Sequence, residues 1–426
     1  MKICVIGLGY IGLPTAAMFA SHGVDVTGVD ISPKIVDTIN AGNIHIEEPG
    51  LGEIVKDVVA KGRLHATIEP EEADVFIIAV PTPNNDDQYL SCNLDHALSA
   101  TKSVMPHLRK GNVIIIESTI APRTTEDYIK PIIEEAGFVI GKDIYLAHCP
   151  ERVLPGQILD ELVNNNRIVG GITAKCAEKA SNIYKTFVKG EIIKTEAKTA
   201  EMSKLMENTY RDVNIALANE LTKICNSLDI NVLDVIEMAN KHPRVNILTP
   251  GPGVGGHCLA VDPYFIYAKA PELAKIIKLA RDTNRSMPNF VAENVEKILE
   301  HDTSKIISVF GVSYKPNVDD MRESPSLEIV KILNEKGYET RIHDPHIKNP
   351  EFYDFDSSLK GSDMLLCLVG HNEFKSIDMK KLSTLMKKVI VLDISNVINS
   401  DGTVEVITYG NLYEYNNSGN WEKDEN

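Results

Sequence analysis

A cysteine that follows a run of glycine and proline is the first residue suited to chemistry. Residues 250–263 read PGPGVGGHCLAVDP, a composition that excludes a helix or strand interior and suits close backbone approach to a ligand. A helix start is predicted at Asp262, and nearby backbone donors favour a reactive thiolate at Cys258. Cys258 is therefore a candidate nucleophile, whereas the other six cysteines are expected to be buried and inert. His257 has no Cys or His at metal-ligand spacing, so no metal site is predicted.

A second chemical pattern lies at the N terminus. Residues 7–12 have the pattern G-x-G-x-x-G between an apolar run and a helical stretch, and Asp30 stands at the end of the next predicted strand. Such glycines let the backbone approach a pyrophosphate at a helix N-terminus, and the carboxylate binds the ribose hydroxyls. Because Asp30 would repel a 2′-phosphate, the pattern predicts NAD rather than NADP. The predicted cofactor contacts of the turn are Gly7, Gly9, Tyr10, Ile11 and Gly12.

Polar residues in other segments do not belong to a comparable motif. Whether they are candidate site residues depends on where the predicted fold places them. Lys204 and Asn208 are four residues apart in a predicted helix, so one helix face presents a cationic and a neutral donor suited to a reacting oxygen. Other candidates lie at or just past the carboxyl ends of predicted strands, where open α/β sheets bind ligands. These candidates are Thr119, Glu151, Arg152, Lys315 and Arg322.

The elements that must position these residues alternate between strand and helix. Apolar runs at 3–6, 24–29, 75–80, 113–116, 144–147 and 167–169 are separated by helical patterns, which predicts a mostly parallel, doubly wound sheet. Residues 199–228 contain no Pro or Gly and predict one long helix, followed by helical stretches at 232–240 and 270–301. From Lys305 the strand pattern returns as a faint repeat of the N-terminal segment.

The fold class is therefore α/β, with two Rossmann-like doubly wound domains joined by a helical central domain that contains a long helix. We expect an NAD-binding domain at 1–198, a helical domain that forms a subunit contact at 199–304, a second Rossmann-like domain at 305–415 and a polar tail at 416–426. The long helix predicts a homodimer or higher homo-oligomer.

Composition and net charge restrict the classes of partner that the protein is expected to bind. The chain has 426 residues and a formal charge of −16, which disfavours general attraction to nucleic acid or to an anionic membrane surface. The sequence shows neither a spanning apolar run nor a signal-peptide core, and its seven scattered cysteines suit a reducing compartment. We therefore expect a cytoplasmic protein that binds anionic ligands through local clusters of donors.

Taken together, the motifs resemble those of the UDP-glucose/GDP-mannose dehydrogenase family along nearly the whole chain. The segments 149–156 and 244–263 are most similar to members that oxidise UDP-N-acetyl-D-mannosamine. The motifs that carry the resemblance are the Gly7 to Gly12 turn, Val80-Pro81-Thr82-Pro83, Glu117-Ser118-Thr119, the helix from Ala200 to Glu220, Gly255-Gly256-His257-Cys258, and Lys315-Pro316 with Asp320 to Pro325.

The resemblance implies oxidation of a sugar CH₂OH to a carboxylate with two NAD⁺, through a thiohemiacetal and a thioester on Cys258. It implies that Lys204 and Asn208 stabilise the oxyanion, that Asp262 and Thr119 place or activate water, and that Glu151 is the general base of thioester hydrolysis. The NAD contacts would also include Pro81, Thr82, Thr119 and Arg322. The contacts to the UDP-sugar would be Glu151, Arg152, Lys204, Asn208, Arg244 from a neighbouring subunit, Asn246, Gly255 and Lys315.

Three alternatives stay open at this point. UDP-N-acetylglucosamine or UDP-glucose as substrate would keep every catalytic residue and change only the sugar contacts. A single-step β-hydroxyacid dehydrogenase would share the first Rossmann domain but has no use for Cys258 or for a second such domain. A non-enzymatic NAD-binding protein would not need Cys258, Lys204 and Glu151 together.

Overall fold

A computed structural model describes residues 1–415, which form two compact units. The first unit comprises Met1–Glu207 and Tyr264–Leu273, and the second comprises Asn208–Pro263 and the chain from Ala274 onward. The predicted polar tail at 416–426 lies outside the described residues.

The first unit contains an eight-stranded sheet with the order β3-β2-β1-β4-β5-β6-β7-β8. All neighbouring strands are parallel except β6 and β7. Because the strand order reverses between β1 and β4, ligands are expected at the carboxyl ends of these two strands. The strands are β1 Lys2–Ile6, β2 Asp25–Val29, β3 Leu64–Thr67, β4 Val75–Ile78, β5 Val113–Ile116, β6 Tyr145–His148, β7 Arg167–Gly171 and β8 Ile192–Glu196.

The core of the first unit lies on both faces of this sheet. Alternate residues of β1 enter different hydrophobic clusters: Ile3 and Val5 pack on one face, and Cys4 and Ile6 pack on the other. This arrangement is expected for a parallel sheet covered on both sides. The helices that connect the strands are α1 Gly12–Ser21, α2 Pro33–Asn40, α3 Leu51–Ala60, α4 Asp95–Val104, α5 Lys130–Glu135, α6 Ile158–Asn164 and α7 Ala174–Tyr184.

The predicted helical region is present, with one correction. The long helix α8 spans Ala197–Ser227, and α9 spans Val232–Asn240 as expected. The stretch predicted as helical at 270–301 is two helices, α11 Lys275–Arg285 and α12 Met287–Ile298. Pro288 lies in the first turn of α12, where its missing N–H costs no hydrogen bond, whereas it would break a continuous helix. Helix α10, Asp262–Lys269, begins at the predicted residue.

The second unit contains a parallel sheet of five strands with the order β10-β9-β11-β12-β13. Its two faces are also buried, since Ile307 and Val309 of β9 pack in one cluster and Phe310 packs in another. The strands are β9 Ile306–Phe310, β10 Glu339–His343, β11 Met364–Cys367, β12 Ile390–Asp393 and β13 Val406–Ile407, and the helices between them are α13 Pro325–Glu335, α14 Phe355–Leu359 and α15 Met379–Leu385. The fold class predicted from the sequence is confirmed.

Candidate active site

The glycine-rich turn between β1 and α1 is constrained by the protein itself at two positions. Gly7 has a φ of +91°, and a Cβ there would lie 2.5 Å from the Ala79 carbonyl oxygen. A Cβ at Gly12 would lie 1.8 Å from the Gly7 carbonyl oxygen. Both positions therefore require glycine for the turn to close.

Gly9 of the same turn and Asp30, directly after β2, fit the binding of a dinucleotide. Among the described residues, no atom lies within 4 Å of a Cβ built on Gly9, so protein packing does not explain this glycine but the approach of a pyrophosphate does. The half-buried Asp30 accepts hydrogen bonds from Leu8 N at 3.1 Å and Ser32 N at 3.0 Å. These two bonds fix the carboxylate at the place where ribose hydroxyls bind in such folds. Tyr10, which follows Gly9 and precedes α1, has an exposed side chain.

Two further predicted cofactor contacts come together at the carboxyl edge of the sheet. Thr82, after β4, donates its hydroxyl to the carbonyl oxygen of Thr119 at 2.5 Å. Ser118 connects the same two segments, because its hydroxyl donates to the Val80 carbonyl at 2.8 Å. The loops after β4 and β5 are thereby held as one surface at the switch point of the sheet.

Glu151 is held from two sides. One carboxylate oxygen accepts Arg152 N at 2.8 Å, and the other lies 2.5 Å from the guanidinium Nη2 of Arg167. The Glu151 side chain is only 8% exposed. The guanidinium of Arg152, predicted to bind substrate, pairs with Glu207 at 2.6 Å and donates to the Asn166 carbonyl.

Sequence reasoning missed the buried groups behind Glu151. Glu117 accepts the hydroxyl of Tyr184 at 2.6 Å and lies 3.3 Å from Nη1 of Arg167. Burial raises the pKa of Glu117 to about 7, and the nearby guanidinium only partly opposes this shift. Charged side chains are rarely this buried unless they are paired. The sequence does not show that Arg167, at the start of β7, is buried, so the structure is needed to find this pair.

In the second unit the structure brings Asn208, Asp262 and Cys258 together. The amide of Asn208 donates to a carboxylate oxygen of Asp262 at 2.5 Å, and Arg211 donates to the amide oxygen of Asn208 at 2.8 Å. The Cys258 carbonyl accepts Val261 N at 3.0 Å and Asp262 N at 2.8 Å. Arg211 therefore orients the Asn208 amide, and a helical turn fixes Cys258 just before α10. Lys204 lies four residues before Asn208 on α8 and is half-buried.

The glycines before Cys258 pack against the segment that carries Arg322. A Cβ at Gly255 would lie 2.3 Å from the Glu323 carbonyl oxygen. Gly256 has a φ of +82° and donates its N–H to the Arg322 carbonyl at 3.0 Å. The glycines are needed because two stretches of backbone touch here.

A buried polar network fixes the start of this loop. Gly251 N donates to the side-chain oxygen of Asn219 at 2.9 Å, and the Asn219 amide donates to Asn284 at 2.9 Å. The amide of Asn284 in turn donates to Asp212 at 2.8 Å. All three side chains are buried, so the network holds the loop rigidly from the helix α8 side.

The end of the loop is held by the same network. Arg281 pairs with Asp212 at 2.5 Å and also reaches the Leu259 carbonyl at 3.5 Å, one residue after Cys258. Burial raises the pKa of Asp212, and Arg281 opposes the shift. The sequence offered no motif for Asp212 or Arg281, because they are 69 residues apart.

The remaining predicted ligand contacts are more exposed. Arg322 pairs with Asp320 at 2.6 Å, and Arg244 and Asn246 are exposed between α9 and the loop. The Lys315 carbonyl accepts the Ser313 hydroxyl at 2.8 Å, which shapes the backbone that carries this half-buried lysine.

Within residues 1–415, one group of side chains is close enough to share a metal ion: His346, His371 and Glu373. One ring nitrogen of His371 accepts Asn317 N at 2.9 Å, and the other lies 3.2 Å from Asp344. Both nitrogens are thus engaged by the protein, which favours a structural role for this histidine.

Comparison with known proteins assigns the three parts of the chain. Residues 1–188 match the NAD binding domain, residues 198–286 the central domain, and residues 308–400 the UDP binding domain of the UDP-glucose/GDP-mannose dehydrogenase family. The chain belongs to this family.

Individual members of the family are similar over nearly the full length. The UDP-N-acetyl-D-mannosamine dehydrogenase of Methanocaldococcus jannaschii is 50% identical over 406 residues, covering 94% of this chain and 93% of that protein. The NDP-N-acetyl-D-galactosaminuronic acid dehydrogenase of Ralstonia nicotianae is 46% identical, covering 90% and 93%. A structure of the UDP-N-acetyl-mannosamine dehydrogenase of S. aureus has a TM-score of 0.92 and 56% identity, covering 97% of this chain and 100% of that one.

Family membership identifies the chemistry of the glycine turn and of the reaction. The protein is a nucleotide-sugar dehydrogenase, and Gly7, Gly9 and Asp30 lie in its NAD-binding domain. Among the helices of residues 1–415, none is both long and apolar enough to cross a membrane.

Proposed function

We propose that this dehydrogenase oxidises UDP-N-acetyl-D-mannosamine to UDP-N-acetyl-D-mannosaminuronate. The reaction converts CH₂OH to a carboxylate, consumes one water and two NAD⁺, and releases two NADH and three protons. The observation that carries the proposal is the turn at the half-buried Cys258, whose carbonyl accepts the N–H of Asp262, while the Asp262 carboxylate accepts the Asn208 amide. The relatives above that are named for this sugar support the choice of substrate.

The thiol of Cys258 is the group that makes the second oxidation feasible. NAD⁺, when bound at the Gly7 to Gly12 turn, accepts a hydride in each oxidation. The aldehyde from the first step has no transferable hydride until a nucleophile adds to it. Addition of the Cys258 sulfur to the aldehyde carbon gives a thiohemiacetal, whose oxidation gives a thioester on the same sulfur. The other six cysteines are buried and have no such role.

Hydrogen-bond donors and a base complete the chemistry. Lys204 and the Asn208 amide stabilise the oxyanion of the thiohemiacetal. Asp262 accepts a hydrogen bond from one N–H of the Asn208 amide. The second N–H of that amide therefore remains to donate to the reacting oxygen. Thr119 and Asp262 place the water, and Glu151 removes its proton as it attacks the thioester.

The proposed ligand contacts come from all three proposed domains, 1–198, 199–304 and 305–415. Lys315 in the third domain holds the nucleotide-sugar, and Arg322 of the same domain holds the NAD pyrophosphate. Arg152 in the first domain and Gly255 in the second contact the substrate. Arg244 and Asn246 are candidates for reading the 2-acetamido group.

Subunit association is part of the proposal. The described part of α8 exposes apolar side chains on one long helix, and Arg244 is also exposed and able to reach a neighbouring chain. We infer a homodimer or higher homo-oligomer that covers this face. A nucleophilic thiol must stay reduced, so the cytoplasm is the proposed compartment. The exposed side chains of α8 are Met202, Met206, Tyr210, Leu217 and Ile224, and Leu228 follows directly after the helix.

The test of the covalent route counts NADH per sugar. We expect two NADH per UDP-N-acetyl-D-mannosamine and no free aldehyde from the wild type. Cys258→Ser should stall after the first oxidation, because an alkoxide is harder to generate than a thiolate. Cys92→Ser is the matched control, since Cys92 is the least buried of the other six. One NADH per sugar from the wild type, or full turnover by C258S, would exclude the route.

The substrate is tested separately by kcat/KM for UDP-linked N-acetylmannosamine, N-acetylglucosamine, N-acetylgalactosamine and glucose. An axial 2-acetamido group occupies different space from an equatorial one, and a site that leaves polar groups unpaired discriminates by up to about 10⁴-fold. A preference for any of the other three sugars would overturn the mannosamine assignment and leave the family reaction intact.

A further inference from the structure

A buried network of charged and polar side chains contacts Glu151 in the first unit. It consists of Arg167 at the start of β7, Glu117 directly after β5, and Tyr184 at the end of α7. The side chains of Arg167 and Glu117 are 5% and 0% exposed. Three separate elements therefore place one guanidinium between two carboxylates, away from water.

The guanidinium has a single orientation in this arrangement. Its Nη2 lies 2.5 Å from Glu151, and its Nη1 lies 3.3 Å from Glu117. The Tyr184 ring lies under the guanidinium carbon, 4.4 Å from the ring centroid, while the Tyr184 hydroxyl donates to Glu117. The hydroxyl of Thr15 also lies 3.3 Å from Glu117. The contacts of Arg167 on its other sides leave its second nitrogen directed at Glu151.

We propose that Arg167 is a positioning residue for Glu151, and that Glu117 and Tyr184 fix the orientation of Arg167. The inference rests on the proposed role of Glu151 as the base of thioester hydrolysis. A general base must be correctly placed, and a fixed guanidinium supplies this condition. The contacts of Arg167 with Glu117 and with the Tyr184 ring hold the guanidinium in one orientation.

The other titratable groups near Glu151 do not supply a competing charge. The guanidinium of Arg152 is directed to Glu207, and Glu161 on α6 accepts Leu154 N. Burial raises the pKa of the Cys149 thiol to about 12, so this neighbour of Arg167 is neutral. Burial also raises the pKa of Tyr184 well above its ordinary value, so its hydroxyl is neutral too. The cation that faces Glu151 from the packed elements is therefore Arg167.

This arrangement predicts different responses to two substitutions. Arg167→Met removes the cation that faces Glu151, so the acid limb of the hydrolysis profile should rise by about one pH unit or more. Burial raises the pKa of Glu117 to about 7, so below that pH Glu117→Gln resembles the protonated carboxyl and should leave the acid limb in place. A purely structural role would reduce activity in both variants without moving the limb.

The experiment uses the full-length protein with NAD⁺ and UDP-N-acetyl-D-mannosamine. When hydrolysis limits turnover, each active site releases a burst of two NADH, and the slow phase that follows reports hydrolysis. The slow phase is measured from pH 5 to pH 9 for the wild type, E117Q, R167M and the double variant E117Q/R167M. The double variant removes both partners of the buried pair, so it should show the raised limb of R167M and guards against failure of R167M to fold.

Glu151→Gln separates the two levels of the inference. A loss of hydrolysis by roughly 10²-fold or more in E151Q, together with a raised acid limb in R167M and an unmoved limb in E117Q, supports the positioning role. If E151Q loses hydrolysis but R167M or the double variant folds and leaves the acid limb unmoved, the positioning role is wrong and the base assignment stands. If E151Q keeps the rate and limb of the wild type, Glu151 is not the base and both ideas are overturned.

Discussion

The turns that follow the first strand of the two sheets are built alike, yet one lies in an NAD binding domain and the other in a UDP binding domain. In each unit a glycine with positive φ follows the strand, Gly7 at +91° and Gly311 at +83°. Each donates its N–H to the last residue of the neighbouring strand, Val29 at 2.8 Å and His343 at 2.9 Å. The faint sequence repeat therefore reflects a repeated local structure.

The acidic residue after the second strand is also repeated. One carboxylate oxygen of Asp30 accepts Leu8 N at 3.1 Å, and one of Asp344 accepts Val312 N at 2.8 Å. In both cases the other oxygen accepts the N–H two residues further along the chain, at 3.0 Å and 2.9 Å. The same hydrogen bonds thus fix both carboxylates.

The difference lies in what else each carboxylate contacts. Asp344 is 6% exposed and also lies 3.2 Å from a ring nitrogen of the buried His371, whereas Asp30 is half-buried. Helix α1 begins five residues after Gly7, but α13 begins only at Pro325. The first turn keeps a carboxylate and a helix N-terminus for a dinucleotide. The second uses its carboxylate to hold the inserted segment 312–324, in agreement with its match to a UDP binding domain.

The largest expected effect comes from the glycine that closes the first turn. Gly12→Ala places a Cβ 1.8 Å from the Gly7 carbonyl oxygen, so we expect a loss of about 5 kcal/mol or more, or no folded protein. Gly9→Ala meets no atom of residues 1–415 within 4 Å and should keep the thermal midpoint while weakening NAD⁺ at least about tenfold. Thermal unfolding and NAD⁺ titration of both variants check this contrast, and equal loss of stability would contradict it.

The two acidic residues should separate stability from binding. Asp344→Ala leaves three backbone N–H groups and His371 without their acceptor, which should cost about 3 kcal/mol of unfolding free energy. Asp30→Ala should cost far less stability but weaken NAD⁺ roughly 10- to 100-fold and relax its preference over NADP⁺, because the ribose hydroxyls lose their acceptor. Urea unfolding and cofactor titration decide between these outcomes. A wild type that prefers NADP⁺ would refute the role of Asp30.

The sequence predicted the elements whose apolar pattern is strong. Helix α8 could be predicted because about thirty residues lack Pro and Gly, and β1 could be predicted because its apolar run precedes a glycine turn. The edge strand β8 could not be predicted, since its residues are all partly or fully exposed and lack an apolar alternation. The break between α11 and α12 was missed because helical periodicity continues across Pro288.

The candidate site divides in the same way. Cys258, Gly9 and Asp30 stand out because their neighbours in sequence create the pattern. Arg167 and Arg281 do not, because a single arginine is most often a surface residue and its partners lie far along the chain, 50 residues away for Glu117. Buried pairing is a property of the fold, so sequence reasoning finds the reacting groups more readily than the groups that hold them.

Opposite pH responses are expected from the two units. Burial raises the pKa of Glu201 to about 7, although Thr125 and Arg123 N donate hydrogen bonds to it. Burial also raises the pKa of Asp344, but hydrogen bonds from His371 and two backbone N–H groups outweigh it and lower the value overall. Folding thus favours protonated Glu201 and ionised Asp344.

The sign of each contribution follows directly. The stability from Glu201 is present below its ordinary pKa and is lost as pH rises through about 7, whereas that from Asp344 is present at higher pH and lost in acid. At about 1.4 kcal/mol per pKa unit, the wild type should lose up to about 3 kcal/mol more than Glu201→Gln between pH 5 and pH 8. Urea unfolding at both pH values checks this, and parallel curves would show that Glu201 is ionised throughout.

The smallest expected effect tests whether the second turn positions a ligand group. His371 accepts Asn317 N at 2.9 Å, so it connects Asp344 to the backbone just after Lys315. His371→Gln keeps a polar side chain but cannot bond both partners in the same geometry, which should cost about 1–2 kcal/mol of stability. If this connection orders Lys315, the KM for the UDP-sugar should rise about tenfold while NAD⁺ binding stays unchanged. His343→Gln is the control, because His343, the last residue of β10 and the neighbour of Asp344, contacts the Tyr353 carbonyl instead. A matching rise in KM in both variants would mean that general destabilisation, rather than the Lys315 segment, is responsible.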